Sequence, residues 1–318
     1  MEQRQFGALG SISALALGGG GIGQVWGTTS RDESIATVRE AVELGITFLD
    51  MAPSYGDGEA ESVVGEAFRG RLPEGVRLST KQLLGNPPAE EVRGLLERSL
   101  EQSRARLRVD FVDLFVLHGQ IVPDGSRYRG TSRSLFTETV RPEFERLVAS
   151  GRVGAWGITG VGLPDSIIET LREDPAPGAV QCIANLLDSP GSMQRFAEDA
   201  RPREIIAAAT MRGVGVMGIR AVQAGALTET LDRELAADHP EMIDYTRAAA
   251  FRALAKELGE SAASLAHRYA LSMPGVSTVV LGVKNRVELR ECVAAEAKGP
   301  LSPEVIARID KAASTGGG

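Results

Sequence analysis

The sequence predicts an α/β fold: a (β/α)8 TIM-type barrel with an N-terminal β-hairpin and long loops at its C-terminal face. Two observations carry this expectation. Eight apolar runs of strand length alternate with longer amphipathic stretches along 318 residues. The runs are near-continuous in apolar character, as expected of parallel strands buried on both faces. No linker, repeat or low-complexity tract interrupts them, so residues 1–318 read as one barrel domain.

The elements follow in order. RQFGALGSISALAL reads as a short hairpin that plugs the bottom of the barrel and runs into the first strand, 14–19. The remaining strands are expected at 46–51, 76–81, 111–118, 153–159, 179–185, 214–219 and 277–282. Amphipathic segments such as 32–45 and 90–107 supply the intervening helices. Two connections are long for a compact barrel, from His118 to about Thr137 and from about Arg220 to Pro240. Long loops at the C-terminal ends of barrel strands shape the substrate site. The closing STGGG reads as a flexible tail.

An open doubly wound sheet is the competing architecture. Gly18 to Gly23 matches the dinucleotide pattern GxGxxG formally. That fingerprint should open a helix directly, with an acidic residue about 20 positions on. Here QVWGTTS intervenes before a helix near Asp32, and Asp50 lies farther away. The glycines, Gly19 and Gly20 among them, are instead read as backbone that approaches a neighbour or a cofactor closely.

Composition excludes several function classes. The net charge is −7 and the pI near 5.3, whereas a general nucleic-acid binder is usually basic. The cluster Arg98, Arg104, Arg106 and Arg108 reads as a solvated helix face. No run approaches the ~18 apolar residues of a membrane span, and the N-terminus lacks a secretory pattern. A cytoplasmic protein is expected. Cys182 and Cys292 form no disulfide framework, and three dispersed histidines offer no metal site.

Polar residues at the C-terminal ends of barrel strands face one shared cleft. The second strand ends at Asp50, with Tyr55 just beyond; the third ends at Lys81; the fourth ends at His118. Each has a bland reading alone: a loop cap, loop packing, a snorkelling ammonium, a structural imidazole. Together they make an acid–base device. A phenol has a pKa near ~10, high for proton transfer at neutral pH. A neighbouring cation lowers it, and Lys81 is placed to be that cation. Burial would strip Lys81 of its proton, which Asp50 opposes. His118 can hydrogen-bond a substrate oxygen. Proton donation to a carbonyl leaves its carbon needing a hydride, hence a cofactor.

The motifs resemble those of the aldo-keto reductase superfamily over nearly the whole chain. DMAPSYGDGEAESVVGEA resembles the signature D-T-A-x-x-Y-G-x-G-x-x-E-x-x-L/V-G. STK at 79–81 and DLFVLH at 113–118 resemble the family's Lys and His motifs. The resemblance implies a tetrad of Asp50, Tyr55, Lys81 and His118, and NADP(H) extended across the barrel mouth. It also implies an aldehyde, ketone or sugar carbonyl as substrate.

Cofactor contacts are implied at Thr159, Gln181 and Asn185 for the nicotinamide end. Two departures stand beside them: Gly160 replaces the usual Asn, and Ala184 replaces a stacking Tyr. Arg220 replaces the common Ser-Pro-Leu and is expected at the pyrophosphate. LGVKNRVELREC resembles G-x-R-N-x-x-Q-x-x-E-N, which puts Lys284 at the 2′-phosphate, with Asn285 at a helix start and Arg286 nearby. Glu288 and Cys292 replace the adenine-contacting Gln and Asn. An acid near the ribose favours NAD(H) instead, so NAD(H) stays open beside NADP(H). Arg127, Tyr128, Arg129 and Arg133 read as solvated loop groups or as contacts for an acidic or polyhydroxylated substrate. Trp26 is expected to wall the substrate pocket. Two other functions fit the same barrel: a cofactor-binding regulatory subunit, and a lyase or isomerase without net redox change.

Overall fold

The computed structural model describes residues 1–315. Eight parallel strands close into a barrel. They are β1 (Leu15–Gly18), β2 (Phe48–Asp50), β3 (Arg77–Gln82) and β4 (Val112–Leu117), then β5 (Val153–Gly160), β6 (Ala179–Ile183), β7 (Gly215–Ile219) and β8 (Thr278–Leu281). Each strand pairs with its sequence neighbours, and β8 closes on β1 through Val279↔Leu15. All eight fall on the expected runs, with β3 and β5 each extending one residue further, to Gln82 and Gly160. Of the expected STGGG tail, Ser314 and Thr315 end the last helix, and residues 316–318 lie outside the described residues.

The helices sit where periodicity placed them, at Arg31–Glu43 and Ala89–Leu107 among others. Ser30 caps the first of these by accepting the Glu33 N–H at 3.1 Å, with Asp32 and Glu33 in the first turn. Their apolar faces cover the barrel exterior, and a second cluster fills its lower interior. That inner cluster includes the predicted plug. Gln3–Gln5 pairs antiparallel with Ser11–Ser13. The turn between them pushes a fully buried Phe6 against Phe48, ring centroids 5.3 Å apart. An added Cβ on Gly215, the first residue of β7, would lie 2.6 Å from the Phe6 ring, so the plug fits only a glycine there.

The glycine run does not open a dinucleotide-type helix. β1 ends at Gly18, one helical turn spans Gly19–Ile22, and the next helix waits until Arg31. The run instead allows three backbone segments to meet. A Cβ on Gly21 would lie 2.0 Å from the Val283 carbonyl oxygen, beyond β8, and one on Gly23 would lie 2.8 Å from the Tyr55 carbonyl oxygen, while one on Gly19 would lie 2.9 Å from Cδ2 of the Tyr55 ring. The Gly21 neighbour is main chain and has no rotamer to yield. Gly21→Ala is therefore expected to destabilise the fold by about 1–3 kcal/mol or more, read as a lower urea midpoint. An unchanged midpoint would show that β1 and β8 are not pinned there.

The loop after β4 is shorter than expected. Helical backbone begins at Arg133, not near Thr137, after a two-residue pairing of Ile121–Val122 with Thr131–Ser132. Arg133 donates to Thr170 at 2.6 Å and pairs with Glu173, so it belongs to the helical layer and not to the substrate loop. The loop after β7 runs to Pro240, as expected.

Candidate active site

The four strand-end groups converge at the C-terminal mouth. Lys81 is fully buried, and its ammonium spends all of its hydrogens. Nζ lies 2.9 Å from Asp50 Oδ1, 2.8 Å from the Met51 carbonyl and 3.3 Å from the Tyr55 hydroxyl. Asp50 is equally committed. Oδ1 also accepts from Ser79 Oγ at 2.6 Å, and Oδ2 accepts from Gln181 Nε2 at 2.7 Å. The Tyr55 and His118 rings meet edge-on, centroids 5.8 Å apart. Ser54 Oγ stands 3.4 Å from His118 Nδ1.

Strand geometry explains the convergence. Asp50 is in register with Ser79 on β3. Ser79 and Lys81 are two residues apart, so they point the same way, into the barrel. Thr80 faces the helices, where it donates to Glu61 at 2.5 Å. Glu61 is fully buried and also accepts from Arg106 Nε at 2.6 Å. This brace ties the helix that follows the Tyr55 turn to the strand that carries Lys81.

Electrostatics sharpen the roles. Burial alone would lower the Lys81 pKa, but Asp50 and then Tyr55 outweigh it and hold it above the usual lysine value. Lys81 is thus a fixed cation, as the strand ends suggest. Tyr55 corrects the sequence-based expectation. Lys81 does pull its pKa down, yet burial and the Asp50 charge win, and the net shift is upward. The phenol is therefore firmly protonated at neutral pH. His118 is lowered to about 4, by burial first and by the Lys81 charge second, with Asp50 opposing. It is a neutral imidazole across the physiological range.

Three atoms at this cluster have no protein partner for one function. The Tyr55 hydroxyl accepts from Lys81 but donates to nothing among the described residues. His118 Nε2 makes no hydrogen bond among them. The Gln181 amide oxygen likewise accepts none, while its nitrogen is fixed on Asp50. A donor, an imidazole and an amide acceptor are what a carbonyl substrate and a nicotinamide carboxamide require, so these residues fit that cofactor.

The other expected cofactor residues are placed as follows. Gly19 and Gly20 are filled by protein: Gly20 is covered by the Trp26 indole, whose Nε1 would lie 2.3 Å from an added Cβ. Trp26 is half exposed and lies against Gly20 and Gly282, just past the ends of β1 and β8. Thr159 donates to the Leu117 carbonyl at 3.0 Å. Gly160 has a structural reason: a Cβ would lie 2.6 Å from the Gln181 carbonyl, because β5 and β6 pair at this level. Ala184 is fully buried, its Cβ close to Gly218.

Asn185 and Arg220 hold loops in this structure. The Asn185 amide donates to the Ser189 carbonyl at 2.9 Å and accepts the N–H groups of Leu187 and Ser189. Arg220, at φ 60°, donates to Gln223 at 2.7 Å and to Glu241 at 2.5 Å, and is nearly buried. Lys284 contacts Asp232 at 3.1 Å and Glu288 at 3.5 Å. Asn285 caps the helix Arg286–Ala297 by accepting the Glu288 N–H. Arg286 pairs with Glu33. Sequence reasoning missed Ser79 and the Asp50 contact of Gln181. A period-two count from Lys81 points to Ser79; nothing local points to the second. His267 packs against Cys292, and His239 caps a helix.

A parallel barrel thus carries a buried Lys–Asp pair, a protonated tyrosine and a neutral histidine together at its C-terminal mouth. The Aldo/keto reductase family model matches residues 14–314, and the chain belongs to that family. It is a nicotinamide-dependent oxidoreductase of the aldo-keto reductase type. L-galactose dehydrogenase of Arabidopsis thaliana is 30% identical over 311 residues, covering 93% of this chain and 88% of the relative. Methylglyoxal reductase YeaE of Escherichia coli is 32% identical over 185 residues, 58% of each chain. A holo-form aldo-keto reductase from Bacillus halodurans superposes with a TM-score of 0.75 at 24% identity, over 98% of this chain and 96% of its own. Among the described residues, no helix is long and apolar enough to cross a membrane.

Proposed function

We propose that the chain interconverts an aldehyde, ketone or sugar carbonyl with its alcohol, with Tyr55 as the proton donor in reduction. One observation carries the reading: the Tyr55 hydroxyl is braced by Lys81 but its own hydrogen is uncommitted, beside the edge of His118. A bound nicotinamide dinucleotide supplies or accepts the hydride. The chain's residues do the rest. Tyr55 donates to the substrate oxygen, and the phenolate left behind faces the Lys81 ammonium. Asp50 keeps that ammonium charged. With Ser54 Oγ 3.4 Å from Nδ1 of His118, the tautomer in which Nδ1 accepts carries the imidazole proton on Nε2, free for the same oxygen. Gln181 offers its amide oxygen to the carboxamide. Trp26 forms an apolar wall. The name of the plant relative, a galactose dehydrogenase, supports a sugar carbonyl or lactol within this class.

The test is a panel of carbonyls and sugar alcohols with NADH, NADPH and their oxidised forms, followed at the nicotinamide absorbance. Turnover of at least one is expected. Protein that binds none of the four cofactors rules the reading out. The pH dependence follows from the shifts. The acid must be protonated, and Tyr55 lies above the ordinary value of ~10. His118 stays neutral down to about pH 4. Reduction is therefore expected to hold steady through neutral pH and to fall only on the alkaline side. An inflection near the ordinary histidine value of ~6.5 would contradict a neutral His118.

A further inference from the structure

At the corner formed by β8 and the helix Arg286–Ala297, both cations of that segment, Lys284 and Arg286, are already paired with carboxylates, and Arg233 pairs with Asp232 beside them at 2.8 Å. Glu288 Oε2 accepts the Lys284 N–H at 2.8 Å, and its Oε1 lies 3.5 Å from Lys284 Nζ and 3.3 Å from Asn285 Nδ2. Asp232, from the long loop after β7, takes the same ammonium at 3.1 Å. Glu33, from the first long helix, accepts the Arg286 N–H at 3.0 Å and the Nε and Nη2 hydrogens along one edge of its guanidinium at 3.1 and 2.9 Å. The helix N-terminus is thereby also occupied, because Asn285 holds the Glu288 N–H at 3.0 Å.

We propose that Glu288, assisted by Glu33 and Asp232, makes this chain select NAD(H) over NADP(H). The inference rests on the proposed nicotinamide reading and on the resemblance of LGVKNRVELREC to the family's adenosine segment, which implies the ribose at this corner. A ribose 2′-phosphate brings acceptor oxygens and a charge of about −1.5 to −2. It meets two cations that already have carboxylates, and a helix end where the Arg286 and Glu288 N–H groups are already bonded. A ribose diol brings donors, and carboxylates are acceptors only. Asp232 sits on a loop, and the Arg286 guanidinium is well exposed, so those pairs can open. Glu288 lies in the first turn of the helix and grips the main chain of Lys284, so it stays. It is the group a phosphate cannot displace.

The experiment is a fluorescence titration of the full chain with NADH and with NADPH, on wild type, Glu288→Gln and Glu33→Gln. Thermal melts check that each variant is folded. Wild type is expected to bind NADH at least roughly tenfold more tightly than NADPH. Glu288→Gln should shrink that ratio by roughly tenfold, chiefly by tightening NADPH, and Glu33→Gln should move it the same way through a freed Arg286. Wild type that binds NADPH as tightly as NADH overturns the proposal. So does a ratio that neither variant moves. Wild type that binds neither cofactor removes the proposal together with the nicotinamide reading, an outcome distinct from reversed preference.

Discussion

Tyr55→Phe is expected to lower carbonyl reduction by a factor of about 10²–10⁴ while leaving the dissociation constant for the cofactor within a few-fold. The substitution removes one oxygen, whose hydrogen has no partner among the described residues. The ring remains between Gly19 and His118, so the turn that carries it has no reason to move. The loss belongs in kcat, because proton donation matters in the transition state and little in ground-state binding. Lys81 loses one weak partner at 3.3 Å and keeps Asp50 and Met51. Steady-state rates beside a cofactor titration separate the two effects. Near wild-type turnover would remove Tyr55 as the acid and leave His118 as the next candidate.

The second large effect is on stability. Lys81→Met leaves Asp50 as a buried carboxylate without its counter-ion. Breaking a buried pair from one side costs about 3–5 kcal/mol. Asp50 would keep Ser79 and Gln181, which limits the loss without neutralising the charge. Asp50→Asn strands the ammonium instead and should be comparably unstable. The double variant, Asp50→Asn with Lys81→Met, removes both charges. It should recover much of the denaturant midpoint lost by either single change, yet stay inactive in reduction. Additive destabilisation in the double variant would show that the two groups do not act as a pair.

Much of this was legible in the residues. Eight apolar runs mark strands because a parallel barrel buries both faces of each. Asp50, Lys81 and His118 announce themselves as polar residues where those runs stop. Tyr55 follows in a turn held by Gly56 and Gly58, both at positive φ. Other features were hidden for physical reasons. The net pKa of Tyr55 depends on how closely the fold packs around this partly buried ring, and that desolvation outweighs the cation that spacing alone identifies. Gly160 looked like a lost cofactor contact, and its cause is the close approach of β6.

The sequence by itself determined the barrel, the order of its strands and the set of groups at its mouth. These follow from periodicity and from where apolar runs end, both local properties of the chain. The tertiary structure decided which charges meet. Glu33 reaches Arg286 across 253 positions and Asp232 reaches Lys284 across 52. Electrostatic pairing acts over a few ångströms in space, and no spacing rule along the chain encodes which carboxylate a given cation will find.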